Sequence, residues 1–266
     1  MRALLLALLL TITPLHAAEL TLELPAGSRS WSSAELLAHP QAQQIEIADD
    51  VSYKRAMTYR AVPLAALLAG VQPGDHLQAV ALDGFAAELP AAPLLSKTGS
   101  RAWLAVEDPA QPWPPLAAGK PSAGPFYLVW SNPQATKIGP EQWPFQVAKI
   151  RRLASVAERF PALLPAATAS ADVQSGFALF QKNCLACHRL NTAGDSQFGP
   201  DLNIPHNPTE YFATDFLTAY IRDPQSLRRW PQGKMPGFSE ALLSDSELTR
   251  LLAYLRHMAG RKLDRW

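Results

Sequence analysis

Cysteine is nearly absent from the chain. Two occur in 266 residues, and they sit together at Cys184 and Cys187. A disulfide framework is therefore excluded as a source of stability, and packing has to supply it. No Gly-rich phosphate loop, internal repeat or low-complexity tail is present. Long apolar runs are also missing. The run Ala3–Leu10, preceded by Arg2 and followed by Leu15-His16-Ala17, reads as a secretory signal over residues 1–17, with cleavage near Ala17. It is too short to span a bilayer as a mature helix, so no stable membrane span is expected after cleavage. The alternative is an uncleaved anchor. Excess charge is absent too. Cleavage removes Arg2, one of 24 basic residues, which leaves a count equal to the 23 acidic ones. A neutral chain does not point to nucleic acid or an anionic membrane as partner.

What is present centres on Cys184-Leu185-Ala186-Cys187-His188. Two thiols three positions apart, with an imidazole directly after the second, is the pattern of covalent c-type haem attachment. Placed on a helix start, the spacing lets both thiols reach the vinyl groups of one haem and turns His188 toward the iron. A thioredoxin-like pair and half of a zinc site are the alternatives. The zinc site lacks further cysteines, and the redox pair does not require His188. A sixth ligand is expected from Met235, in Gly233-Lys234-Met235-Pro236-Gly237. Its neutral thioether favours the ferrous state and would raise the reduction potential. The alternatives are a surface role for Met235 and ligation by His206 or His257, whereas Met258 reads as core. Arg222, Arg228, Arg229 and Lys234 face only Asp223 around this loop. That excess reads either as a solvated face or as a surface that steers an acidic redox partner.

With 24 prolines and 48% hydrophobic residues, real cores and many loops are expected. Strand patterns appear at Leu20-Leu22-Leu24, Ile45-Ile47, Leu77–Leu89 with Asp83-Gly84 as its turn, Ala102–Val106, Phe126–Trp130 and Gln146–Leu153. Val62–Ala69, closed by Gly70, reads as a short buried helix, and Ser32 or Ser33 as the cap of another. These make residues 18–153 a β-rich α+β domain. Residues 154–171 are rich in Ala and Pro and read as a linker and a preferred cutting site. Residues 172–266 read as helical. Ser175–Asn183 leads into the motif. Asn207-Pro208-Thr209-Glu210 opens a helix to about Arg222, and Ser244-Asp245-Ser246-Glu247 caps one ending at Gly260.

Residues 172–260 resemble a class I cytochrome c domain, on the strength of Cys184, Cys187 and His188, then Gly199-Pro200-Asp201-Leu202, Met235-Pro236 and the last helix. The resemblance implies one covalent haem c, an all-α fold and a protein redox partner. It implies that the Pro200 carbonyl takes the second ring nitrogen of His188, and that Gly176 and Phe180 cross the last helix near Tyr254. It also implies that Trp230 lies near a haem propionate, where an ordinary core tryptophan is the alternative. Tyr59–Leu68, Ala79–Leu89, Tyr127–Trp130 and Trp143–Val147 resemble the molybdopterin-binding domain of the sulfite oxidase type. That family holds its metal through a cysteine, and this domain has none, so no molybdenum cofactor is expected. Tyr53, Lys54, Arg55 and Arg60 are the place for a small anionic ligand, or a charged exposed turn.

The expectation is an exported, periplasmic two-domain protein that carries single electrons through its haem, with a first domain that docks a partner or binds a ligand. Its rivals are a haem-coupled molybdopterin-type dehydrogenase and a haem-based sensor or assembly factor.

Overall fold

A computed structural model describes residues 18–196 and 198–263. The expected signal, residues 1–17, lies outside the described residues. The first unit runs in the order β1 (Glu19–Leu24), β2 (Gly27–Ser32), α1 (Ser33–Leu37), β3 (Gln43–Ile47), β4 (Met57–Pro63), β5 (His76–Ala81), β6 (Ala86–Pro90), α2 (Ala91–Leu95), β7 (Arg101–Val106), β8 (Phe126–Ser131) and β9 (Val147–Leu153). The strands form two sheets, β2-β1-β9-β5-β6 and β3-β4-β7-β8. Pairing is antiparallel except between β1 and β9, where Leu22 lies beside Ile150.

Alternation explains β1: Leu20 and Leu22 are buried while their neighbours face outward. β7 and β8 are apolar almost throughout, and both faces of each are covered. One core cluster joins the two sheets, with Leu77, Ala79 and Ile150 from one and Tyr59, Val62 and Leu104 from the other. The β5–β6 turn forms at Asp83-Gly84, where Gly84 takes φ +88° and Asp83 Oδ1 accepts from the Phe85 N–H at 3.0 Å. Ser32 caps α1 in a reciprocal box with Glu35.

One element differs from expectation. Val62 and Pro63 end strand β4, where Val62 pairs with Leu104, and only Leu64–Ala66 forms a turn of 3₁₀ helix. A short apolar run is the same in a buried strand and a buried helix, so periodicity cannot separate them.

The second unit holds α3 (Val156–Arg159), α4 (Ala171–Asn183), α5 (Pro208–Tyr211), α6 (Thr214–Arg222), α7 (Pro224–Leu227) and α8 (Asp245–Ala259). Its core is a separate cluster built around Phe177, Phe180, Tyr254 and the α8 residues Leu248, Leu251, Leu252, Leu255 and Met258. Asn207 and Ser244 both form the expected capping boxes. The helix from Asn207 stops at Tyr211, and α6 starts afresh at Thr214, because Phe212 and Ala213 take extended backbone angles.

Residues 154–171 are not a loose linker. Val156 and Leu163 are buried in the second core. Tyr254 Oη donates to the Leu163 carbonyl at 2.7 Å, and the Ala166 N–H donates to His257 Nε2 at 3.0 Å. The expected preferred cutting site is thus a strap on the helical unit, ordered by side chains far away in sequence.

The units touch through polar side chains. Glu88 on β6 is buried and accepts from His76, from Gln78 Nε2 at 2.7 Å and from Arg159 at 2.7 Å. Arg159 and Gln78 both also donate to Asp195, at 2.7 and 2.6 Å. Burial works to raise the Glu88 pKa, but the bonds from His76 and Arg159 outweigh it and hold the carboxyl below its usual range. Elsewhere Lys137 pairs with Glu247 at 3.1 Å, and Lys182 Nζ donates to the Lys137 carbonyl at 2.7 Å.

Candidate haem site

Helix α4 delivers the motif. Ser170 caps its start, and Phe177 and Phe180 bury its inner face against α8. The two helices approach closely at Gly176, where an added Cβ would lie 2.7 Å from Tyr254 Cβ. Phe180 and Tyr254 rings sit 5.4 Å apart. Gly176 and Phe180 therefore cross α8 at Tyr254, as the resemblance implies.

Cys184 is the residue that ends α4, so the motif follows a helix end and not a helix start. The chain keeps turning there: the Cys187 and His188 N–H groups both donate to the Cys184 carbonyl, at 3.1 and 2.9 Å. Leu185 and Ala186 point into the core, leaving Cys184, Cys187 and His188 half-buried. Burial raises both thiols, Cys187 to about 11 and Cys184 further, with the charge of Glu141 adding to each. Both are neutral thiols at neutral pH.

His188 Nδ1 donates to the Pro200 carbonyl at 2.8 Å. This bond fixes the tautomer and leaves the Nε2 lone pair free for a metal. Burial pulls the imidazole below its usual pKa, against the opposing pull of the Pro200 carbonyl, so the ring is neutral. Gly199 lies flat on this ring; a Cβ there would come within 2.6 Å of Nδ1 and 3.0 Å of Nε2. Only glycine permits that approach.

The loop between motif and Pro200 is held by residues that the motif does not announce. Asp201 Oδ1 accepts from the Asn203 and Ile204 N–H groups at 2.8 and 2.9 Å, and its Oδ2 from Thr192 at 2.6 Å. Asn191, Asn203 and Asn207 form a buried ladder. Asn203 Nδ2 reaches Asn191 Oδ1 at 2.8 Å and the Met258 carbonyl at 2.7 Å, and Asn207 Nδ2 reaches Asn203 Oδ1 at 2.9 Å and the Leu255 carbonyl at 3.0 Å. The ladder ties this loop to the last turn of α8, where the Met258 carbonyl also accepts from the Arg261 N–H at 2.8 Å. Three asparagines spread over 17 positions carry no sequence signal beyond their polarity.

Met235 is half-buried against the second core. Its loop is anchored by Arg222, whose guanidinium donates to the Phe238 carbonyl at 2.9 Å, to the Leu243 carbonyl and to Asp245 at 2.6 Å. Arg222 is thus a brace and not a free surface charge, unlike Arg228, Arg229 and Lys234, which are exposed. Trp230 is 58% exposed, which removes its reading as a core tryptophan. Met258 is buried in the core, as expected. His206 is exposed, and His257 is engaged by Ala166. The donor set that fits a haem is therefore two half-buried thiols, one oriented neutral imidazole and one half-buried thioether.

In the first unit, Lys54 and Arg55 project from an exposed turn, and Tyr53 Oη accepts from the Ala123 N–H at 2.9 Å. Arg60 stands apart on β4, bordering a surface cleft of about 550 Å³ with Gln44, Thr58 and Trp113. The basic residues do not form one pocket.

Residues 173–259 match the cytochrome c family model. No curated protein matches the chain. The C-terminal unit is a cytochrome c domain, preceded by a β-rich unit, and the protein is a haem-based electron-transfer protein whose domain implies a covalently bound haem c and a redox partner. Among the described residues, no helix is long and apolar enough to cross a membrane.

Proposed function

We propose that the protein is an exported, periplasmic mono-haem cytochrome that shuttles single electrons. Cys184 and Cys187 anchor the haem, His188 and Met235 ligate its iron, and the β-rich unit, of sulfite-oxidase-like fold, serves partner docking without molybdenum. The observation that carries this reading is the Nδ1–Pro200 bond under Gly199, which presents one lone pair of His188 in one direction. Bound haem supplies the one-electron couple. The chain supplies a fixed imidazole, a soft sulfur and a buried wall of α4 and α8 side chains that keeps water from the ligands. Trp230, exposed near the Met235 loop, would lie beside a haem propionate in this reading. Replacing Met235 with Ala tests the ligand set. The potential should fall and small ligands should gain access to the iron. An unchanged potential and spectrum in that variant would remove Met235 from the set.

Molybdenum content of protein made in a molybdenum-replete host separates this reading from the dehydrogenase rival. About one metal per chain, as a dedicated site requires, would favour the enzyme.

A further inference from the structure

Glu141 is a buried carboxylate without a structural partner among the described residues. It lies on a short 3₁₀ turn, Pro140–Gln142, of the β-rich unit and is 9% exposed. Neither carboxylate oxygen has a hydrogen-bond partner among the described residues. An unpaired buried acid of this kind needs an account, because desolvating it without partners is costly. Its side chain folds over Gly139, where an added Cβ would lie 2.7 Å from Oε2, so the turn is shaped to hold it.

The charge that reaches Glu141 is that of Lys182 on α4, and the Cys184 and Cys187 thiols of the motif feel the carboxylate in turn. Lys182 also feels Lys137 of the preceding turn and Glu247 of α8, which pair with each other at 3.1 Å. Lys182 spends its Nζ on the Lys137 carbonyl at 2.7 Å. Its positive charge draws the Glu141 pKa down, but burial is the larger effect and pushes the carboxyl up to about 8. The acid thus sits near its titration point at neutral to mildly alkaline pH. Its turn is tied to the end of α4 by the Lys182–Lys137 bond two residues before Cys184, its charge is felt at both cysteines, and neither of its oxygens has a hydrogen-bond partner among the described residues.

We infer that Glu141 is the proton partner of the haem, a residue of the first unit that makes electron transfer in the second unit proton-coupled. When the redox partner delivers one electron to the ferric site, the site loses one positive charge, and the Glu141 carboxylate takes one proton from water to become the neutral acid. When the electron leaves, the restored positive charge favours the carboxylate, and the proton returns to water. Charge next to the haem is thereby nearly conserved in each turnover, which a low-dielectric setting rewards. The first unit then has a role beyond docking: it contributes an electrostatic residue to the haem environment. The inference rests on the haem reading only in requiring iron at the motif.

The test is an equilibrium redox titration of the full-length holoprotein from pH 6 to pH 10, followed by haem absorbance. The wild-type potential should fall as pH rises through the window around pH 8. The slope should approach a tenfold change in the redox equilibrium per pH unit, or 59 mV for one electron. Glu141→Gln should be flat across this window and should keep the wild-type value from low pH. Lys182→Gln should move the window to higher pH, since a cation that favours the carboxylate is gone. A flat wild-type profile, or a Glu141→Gln profile that keeps the wild-type slope, would overturn the inference. Should Glu141→Gln fail to accumulate, indicator-dye measurement of proton uptake on photoreduction of wild type near pH 8 decides the matter. Fractional uptake is expected, and none would refute it. A chain that carries no covalent haem would instead remove the haem reading itself.

Discussion

Two buried acids in the β-rich unit have opposite surroundings. Asp50, 2% exposed, accepts from the Ser52 and Tyr53 N–H groups at 2.9 and 2.8 Å, and from the Tyr59 and Tyr127 hydroxyls at 2.7 and 3.2 Å. Glu141, 9% exposed, accepts from no donor among the described residues. Asp50 sits among the paired aromatics between the sheets; Glu141 sits where this unit meets the haem motif. The other unsatisfied buried side-chain atoms, Trp143 Nε1 and Arg189 Nε, lie beside Glu141 in sequence and beside His188. Trp143 packs on Tyr127 in the β-rich core, and Arg189 follows the haem motif, so the open groups lie in both units. A buried polar group left unpaired lowers stability, and an acid in that state is a candidate for function.

The largest effect is expected at Asp50. Changing it to Ala leaves the Tyr59 hydroxyl and two backbone N–H groups without their acceptor, and Tyr127 with Ser52 Oγ alone at 2.9 Å. It should lower stability by at least about 3 kcal/mol, read from denaturant unfolding of the holoprotein. A loss below about 1 kcal/mol, the worth of one ordinary hydrogen bond, would deny that the hub is structural.

Next comes Arg159→Ala, which leaves Glu88 buried with His76 and Gln78 and removes one of the two bonds to Asp195, that of Gln78 remaining. A loss of about 2 kcal/mol is expected, since a buried acid is left short of a charged partner. The haem spectrum should stay intact, because Arg159 touches neither the motif nor Pro200.

Glu141→Gln should behave in the reverse sense. The native carboxyl keeps its proton up to about pH 8, whereas the unfolded one loses it near 4.5. Between these values the native state binds more protons than the unfolded state, so wild-type stability falls as pH rises through the window. The variant should lack that fall and be the more stable protein at pH 9. Parallel pH–stability curves for the two would show that Glu141 ionises freely.

The smallest effect is expected at the strap. His257→Ala removes one acceptor from the Ala166 N–H, worth about 1 kcal/mol. It should speed proteolysis in residues 164–170 without touching the haem.

Much of the site was legible because its chemistry is local. Cys184, Cys187 and His188 are contiguous, Pro200 follows within one loop, and the caps at Ser32, Asn207 and Ser244 each complete themselves within three residues. What escaped depends on distance. The strap over 154–171 reads as a linker because its composition is Ala and Pro, and it is held by the burial of Val156 and Leu163 and by bonds to distant side chains, Tyr254 and His257 on α8 among them. β2 has almost no buried side chain to betray it and exists through its pairing with β1. Arg222 reads as one of several loop cations, yet it braces Phe238, Leu243 and Asp245 across the fold. Glu141 reads as a charged loop residue, since nothing in Gly139-Pro140-Glu141-Gln142 shows that α4 will cover it.

The most direct test of the account is whether haem stays on the chain after denaturation. Protein produced with a haem-attachment system should keep its colour in the protein fraction through acidified acetone extraction. Changing Cys184 and Cys187 to Ala should release the haem to the solvent. Wild-type protein whose haem leaves with the acetone would contradict covalent attachment at the motif around which the molecule is built.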